Sequence, residues 1–383
     1  MKNSSTDFLK GILSVLLVFS LLIFAIGKST EISTAFANVA AAVISGNDLK
    51  NDKSSVNNSD DGGQTTTTSS TDGNSTETMN RVEAKDSEDD SDIKKTPKDI
   101  ALLMDREKKE IKKQKKLGKT SEEHYFGGGK LEKYDGVEVQ NKIPSSFYDL
   151  DLKKLMKEKI DLSVNANKDK PTVLIYHSHT TEAYTLLDVG YYTASFDMRC
   201  KDTARNMVRV GDEIAEYLEK SGIGVIHDRE IHDEDYNSAY DSSRKSIKKY
   251  LEQYPSIKVT IDVHRDDITY NNKTKVKPTV KIDGKKAAKM MIIAGCEYGR
   301  VKDFPKWEEN LKFDLAVQKK MSQTYNGIMR PILFSERKYN MDMTKYSFLL
   351  EVGTDANTLD EACYSGRLFG KALGEMLKND FKK

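Results

Sequence analysis

At 383 residues the chain has the length of two or three average domains, and its 61 basic and 60 acidic side chains leave a net charge of +1. That balance lacks the clustered basic excess on which nucleic-acid binding rests. Three cysteines, Cys200, Cys296 and Cys363, show no CxxC spacing, and an odd count argues against a disulfide framework, so stability must come from a core.

Residues 11–27 are uncharged and almost wholly apolar. At about 1.5 Å per residue this run is near the lower limit for crossing a bilayer core of roughly 30 Å. Lys2 and Lys10 precede it, so the positive-inside rule leaves the amino terminus in the cytoplasm and the rest of the chain outside. A cleaved signal peptide is the alternative, since Ala35-Phe36-Ala37 has a small-x-small pattern; either way the working part is exported. From Gly46 to about Pro97 the composition is Ser, Thr, Asn, Asp and Gly, too polar to offset the entropy of ordering, and it reads as a disordered tether. Lys94 to Lys119 is densely charged, with Ile100, Leu102, Leu103 and Ile111 as apolar anchors, and suits a solvated helix. The expected division is an anchor region at 1–45, a polar and largely disordered spacer at 46–165, and a globular catalytic domain at 166–383.

Within that domain strands and helices alternate. Strands are expected at Thr172–Tyr176, Gly224–His227, Lys258–Val263, 331–334 and Ser347–Val352, with a strand pair around 278–294. Helices are expected around Val208–Leu218, stopped by Gly222, then at Ser243–Leu251, 306–325 and 359–378. The pattern predicts an α/β fold with a mainly parallel, doubly wound sheet and flanking helices.

Two apolar strands end abruptly in histidine: Val-Leu-Ile-Tyr-His177-Ser-His179-Thr-Thr-Glu182 and Ile-Asp262-Val-His264-Arg-Asp266. Ligands bind at the carboxyl ends of strands in open α/β sheets. A His-x-x-Glu followed by a distant His is the donor set of a catalytic zinc with an open position, which nominates His179, Glu182 and His264 as metal ligands. Taken alone, His-x-x-Glu reads more often as a core histidine and a helix-start carboxylate; the second strand-end histidine is what raises it. His177 points the same way as His179 in an extended chain, so spacing does not separate them. Alternation puts Asp262 and His264 on one face, and Asp266 is placed to orient an imidazole. Glu351 is a carboxylate inside an apolar strand, which needs either an ion-pair partner or a task; beside a metal it suits the catalytic acid–base role. His124, His227 and His232 lie in polar surroundings and read as surface residues, and Asn206 reads as a helix cap.

Several ordered motifs then carry a resemblance: Ser178-His179-Thr-Thr-Glu182, Val210-Gly211, Ser238-Ala-Tyr240-Asp-Ser-Ser243, Ile261-Asp-Val-His264-Arg265-Asp266, Tyr339-Asn340-Met-Asp, and Leu349-Leu350-Glu351-Val352-Gly353 followed by Asn357-Thr358. Over about 166–383 the chain resembles the stage II sporulation protein P family, exported cell-wall hydrolases related to zinc N-acetylmuramoyl-L-alanine amidases. The resemblance implies hydrolysis of the amide between N-acetylmuramic acid and L-alanine, with endopeptidase action on cross-links also attributed to the family. It implies His179 and His264 as zinc ligands, Glu182 as the third, and Glu351 as the catalytic carboxylate; related amidases take their glutamate from farther along the chain. It further implies septal peptidoglycan as substrate during engulfment, stage II sporulation proteins D and M as partners, and a membrane-anchored enzyme facing the space between mother cell and forespore. Rival readings are a zinc carboxypeptidase-like enzyme and a non-catalytic wall-binding module with structural histidines. Ligand type alone also admits iron or manganese.

Overall fold

The structure is a computed structural model that describes residues 90–382 apart from residues 124, 126, 165 and 166. The expected membrane segment, the cleavage site, most of the polar tether and His124 lie outside the described residues. Among the described residues no helix is long and apolar enough to cross a membrane.

In chain order the elements are α1 (Asp90–Ile93), α2 (Lys98–Glu110), β1 (Lys116–Ser121), β2 (Lys130–Tyr134), β3 (Val137–Asn141) and α3 (Leu152–Leu155). Then come β4 (Val173–Tyr176), β5 (Tyr191–Thr193), α4 (Met207–Lys220), β6 (Val225–His227), α5 (Ala239–Gln253) and β7 (Val259–Asp266). The last third holds β8 (Thr274–Val276), β9 (Thr279–Ile282), β10 (Lys285–Ala288), β11 (Met290–Gly295), α6 (Trp307–Thr324), β12 (Ile332–Ser335), β13 (Tyr346–Thr354) and α7 (Leu359–Asp380).

An eight-stranded sheet in the order β2-β3-β12-β11-β13-β7-β4-β6 forms the frame. Pairing is antiparallel only at β2–β3 and β11–β13, so the sheet is mainly parallel, as its sequence pattern predicts. Every residue of β4, β11 and β13 is buried, the condition under which strands read as near-continuous apolar runs.

The two faces are covered unequally. Val173, Ile175, Val259, Ile261, Val263, Phe348 and Leu350 join one large core with residues of α4, α6 and α7. On the other face Leu174 and Tyr176 pack with Ile247 of α5 and with Ile257, while Met291, Ile293 and Leu349 pack against Leu333 and Tyr339. Helices therefore flank both faces, but the second layer is thin.

The boundary at residue 166 is corrected by strand pairing. β2 and β3 extend the main sheet beyond β12, and β1 lies between β5 and β8 in a small three-stranded sheet. Farther up, Arg367 of α7 donates from Nε to the Ile93 carbonyl at 2.6 Å, so α1 is tied to the same body. From residue 90 onward the expected spacer is built into the domain. The physical reason is that no residue of β1 or β2 is fully buried, and sequences such as Lys-Leu-Glu-Lys-Tyr at the sheet edge are compositionally close to a linker.

Candidate active site

Three adjacent parallel strands, β13, β7 and β4, end side by side. Glu351 and His264 are register partners across the β13–β7 pair. Pleat alternation sends Val259, Ile261 and Val263 into the main core, so Thr260, Asp262 and His264 face the thinly covered side. Leu349 lies on that side too, and Glu351 follows it two residues on. β13 is bulged between Glu351 and Thr354, where Gly353 has φ +68° and a Cβ would lie 2.5 Å from Asn357 Oδ1.

His179 arrives from the turn after β4. Its ring centroid is 5.3 Å from that of His264, the planes nearly perpendicular. Glu182 lies in the same turn: its Oε2 is 3.6 Å from His264 Nδ1 and accepts a hydrogen bond from the Arg265 amide at 3.1 Å. Arg265 in turn holds the loop, donating to the carbonyls of Ala183 at 3.0 Å and Met198 at 2.7 Å.

On the other edge of the His264 ring, Nε2 lies 2.8 Å from Asp262 Oδ1, an ion-pair contact, although no acceptor is aligned with its N–H. Asp262 itself is fixed by Ser178, which donates from its amide at 2.8 Å and from its hydroxyl at 2.6 Å. Asp262, and not the expected Asp266, is thus the carboxylate beside this imidazole. Asp266 accepts instead from Arg330 Nη1 at 2.9 Å.

Burial and charge set the protonation of this cluster. Burial, followed by the neighbouring His264, pushes His179 down to about 3, so its imidazole is neutral, the form a metal binds. For His264, burial opposes the charged form, but the Asp262 carboxylate, with Glu182 and Glu351, overrides it and raises the group to about 9. Carboxylates that favour an imidazolium would equally favour a divalent cation. Burial, reinforced by Asp266 and opposed by His264 and Arg330, raises Glu351 to about 8.

His179 Nδ1 and Glu351 Oε2 are buried with no hydrogen-bond partner. Buried polar atoms are normally satisfied, so these two atoms are free to take a ligand, an ion or a water. Two imidazoles, an adjacent carboxylate and an unpartnered ring nitrogen fit a zinc donor set. Among the described residues Glu351 has no ion pair with an arginine or lysine; the nearby Arg330 pairs through Nη1 with Asp266 instead.

Tyrosines line the cluster. Tyr236 stacks on His179 at 4.4 Å, with the Arg199 guanidinium 4.4 Å above its outer face. Tyr240 meets His179 edge-on at 5.4 Å and stacks on Tyr339 at 4.9 Å. Tyr339 and Asn340 sit at φ +42° and +61°, a left-handed pair held by Asn340 Nδ2 bonding to the Tyr240 carbonyl and to Ser243 Oγ.

Other histidines go elsewhere. His177 lies under α4, not beside His179: its Nδ1 bonds the Val263 carbonyl and its Nε2 meets His227 Nε2, both at 2.9 Å. His227 is backed by Asp212 at 3.0 Å. Gly211 leaves room for this pair, since a Cβ there would lie 2.5 and 2.6 Å from the two Nε2 atoms. His232 is buried, with Asp228 at 2.9 Å on one ring nitrogen and Ser242 at 3.1 Å on the other. Neither His227 nor His232 is the surface residue its sequence surroundings predict, because their partners come from distant elements. Among the described residues, Asp228, Glu230 and His232 are the group of three whose donor atoms all fall within 4.8 Å of one another. His232 has both nitrogens engaged there, so that group reads as a closed hydrogen-bond network. Asn206 caps α4, accepting from the Val208 amide at 3.0 Å.

The chain is 30% identical over 221 residues to stage II sporulation protein P of Bacillus subtilis (strain 168), a match covering 54% of this chain and 51% of that protein, about half its length. Solved structures that it resembles loosely include the N-acetylmuramoyl-L-alanine amidase AmiC2 of Nostoc punctiforme, at 13% identity and TM-score 0.33, covering 55% of this chain and 95% of that one. Another is the CwlD amidase from Clostridioides difficile in complex with the GerS lipoprotein, at 15% identity and TM-score 0.30, covering 53% and 98%. The family model described as stage II sporulation protein P matches residues 45–374, most of the sequence. The chain belongs to the stage II sporulation protein P family.

Proposed function

We propose that this protein is a zinc-dependent cell-wall hydrolase that cleaves the amide between N-acetylmuramic acid and L-alanine. The observation that carries the reading is the convergence of His179, His264 and Glu351 at three neighbouring strand ends, with His179 Nδ1 and Glu351 Oε2 buried and unpartnered. Family membership supports a role in sporulation, where the substrate would be septal peptidoglycan during engulfment.

His179, His264 and Glu182 would hold the metal, with Asp262 orienting the His264 ring. When bound, zinc supplies Lewis-acid polarisation of the scissile carbonyl and acidifies a water. Glu351 takes a proton from the attacking water and delivers it to the departing L-alanine nitrogen as the C–N bond breaks. A carboxyl held near neutrality can do both, since it neither keeps nor surrenders the proton too readily. Tyr236 and Tyr240 shield the imidazoles from bulk water, strengthening the electrostatics inside. The same reading places the enzyme outside the cytoplasmic membrane, tethered by residues 11–27, with stage II sporulation proteins D and M as partners.

The test is digestion of purified peptidoglycan with and without chelator and added zinc, the products read by mass spectrometry. The expected result is release of stem peptides beginning with L-Ala, lost with EDTA and in His179→Ala. Release of a carboxyl-terminal residue alone would favour a carboxypeptidase. No release with zinc, even on glycan opened by a transglycosylase, would sink the hydrolase reading.

A further inference from the structure

A cavity of about 700 Å³ lies beside the candidate site, between the β2–β3 hairpin, the end of α6 and residues 326–331. Its walls include Leu131, Val137 and Met329, and it also meets Arg330, Lys289 and Gln318. Arg330 is only 7% exposed. One end of its guanidinium is paired with Asp266, while Nε has no partner. Gln318 is 2% exposed, donates to the Arg330 carbonyl at 3.0 Å, and leaves its own Oε1 unpartnered. Burial, and next the charge of Arg330, hold the Lys289 ammonium below its usual range against the opposing carboxylate of Glu138, which also lines the cavity.

An unused, buried guanidinium N–H calls for an acceptor, and an anionic one is the strongest. The volume is that of a small-molecule site, and the apolar walls suit the body of a short peptide better than a bare inorganic ion. We infer that this cavity is a subsite for a carboxylate of the substrate's peptide stem, with Arg330 as its anchor. The inference rests on the peptidoglycan reading above. Arg330 touches Asp266, and both residues act electrostatically on Glu351, so the subsite is one ion pair away from the catalytic carboxyl.

The test uses the full-length zinc-loaded protein and a synthetic L-Ala-γ-D-Glu-L-Lys tripeptide, with its carboxylates free or amidated, titrated calorimetrically. The wild type is expected to bind the free acid about tenfold or more tightly than the amide, and Arg330→Gln to remove the preference. Arg330→Gln also unpairs Asp266, so Ser322→Trp, which fills the cavity from α6 without touching that pair, provides the second variant. Ser322→Trp should abolish the preference too, and raise KM for the matching muramyl tripeptide by a similar factor while kcat stays within about twofold. Equal binding of acid and amide by the wild type, or a preference surviving in Ser322→Trp, overturns the subsite. If the preference is present and lost in the variants while no muropeptide is cut, the subsite stands and the amidase reading falls. Cleavage of muropeptides without discrimination between acid and amide removes the subsite and leaves the amidase reading standing.

Discussion

His177 and His179 stand two residues apart at the end of one strand, yet they meet opposite surroundings. His177 is sealed beneath α4, with one nitrogen on the Val263 carbonyl and the other on His227, which Asp212 backs in turn. Burial, then His227, hold it well below its usual range, so it stays neutral. His179 faces the thin side of the sheet beside His264, Glu182 and Glu351, with Nδ1 unpartnered. A pair spaced by two would share a face in an extended chain, but β4 ends at Tyr176 and the turn separates them. A satisfied histidine contributes to stability, and one with a free ring nitrogen has a donor atom to offer.

The largest effects should fall on the unsatisfied side. His179→Ala is expected to lose bound zinc, measured by metal analysis of the purified protein, together with hydrolysis. Glu351→Gln should keep the metal while turnover of muropeptides falls by about 10²–10⁴-fold. Its melting temperature at pH 7 should hold, because a carboxyl raised to about 8 is mostly uncharged there and glutamine matches its shape. His177→Ala should do the opposite: zinc content and turnover per folded molecule hold, while chemical denaturation shows a loss of about 1–3 kcal/mol from the partners left unpaired. If His177→Ala lost the metal and His179→Ala kept it, the comparison would be inverted.

Asp262→Asn tests the support of His264 and should weaken zinc by about 10–100-fold in a competition with a chelating dye. His232→Ala should leave one zinc per chain unchanged; a fall in stoichiometry would move the metal to the Asp228–Glu230–His232 group.

A pH series gives a smaller and directional effect. In chelator-treated protein His264 holds its proton to about pH 9, against roughly 6.5 in an unfolded chain. The native state therefore binds more protons than the unfolded one between those values. That stabilisation is complete below about pH 6.5 and is lost as pH rises toward 9. Glu351, raised to about 8, works in the same direction over a lower window. Zinc must displace the His264 proton, so its affinity should increase across the same interval. Melting curves with EDTA and with zinc from pH 6 to 9.5 would read both slopes. A zinc affinity flat with pH would remove His264 from the ligand set.

Much of the frame is legible in the sequence because its central strands are buried on both faces. Val173–Tyr176, Val259–Val263 and Tyr346–Val352 read as apolar runs, and the polar residues ending them stand out. β1 and β2 hide because none of their residues is fully buried, β2 at the edge of the main sheet and β1 within a small sheet, so both keep polar side chains in water. Around the site, His179, His264 and Glu351 could be nominated from strand ends alone. The exchange of roles between Asp262 and Asp266 could not, since it depends on Ser178 and Arg330, which come from other elements. Tyr236 comes from a short segment before α5 that bears no strand or helix periodicity. The burial of His232 likewise depends on Asp228 and Ser242, whose proximity no local pattern encodes.

The hold of Arg367 on the start of the domain has a mechanical side. Its Nε and Nη2 grip the carbonyls of Ile93 and Lys95 at 2.6 and 3.2 Å, Lys285 takes the Lys94 carbonyl at 2.9 Å, and Thr96 bonds Asp360 at 3.1 Å. Tension applied from ahead of residue 90 is shared by these bonds in parallel and passed to α7, which is bedded against α4. The clamp works like a cleat on a line. A tug from that side loads the cleat before it reaches β4, β7 or β13, the strands that set the positions of His179, His264 and Glu351.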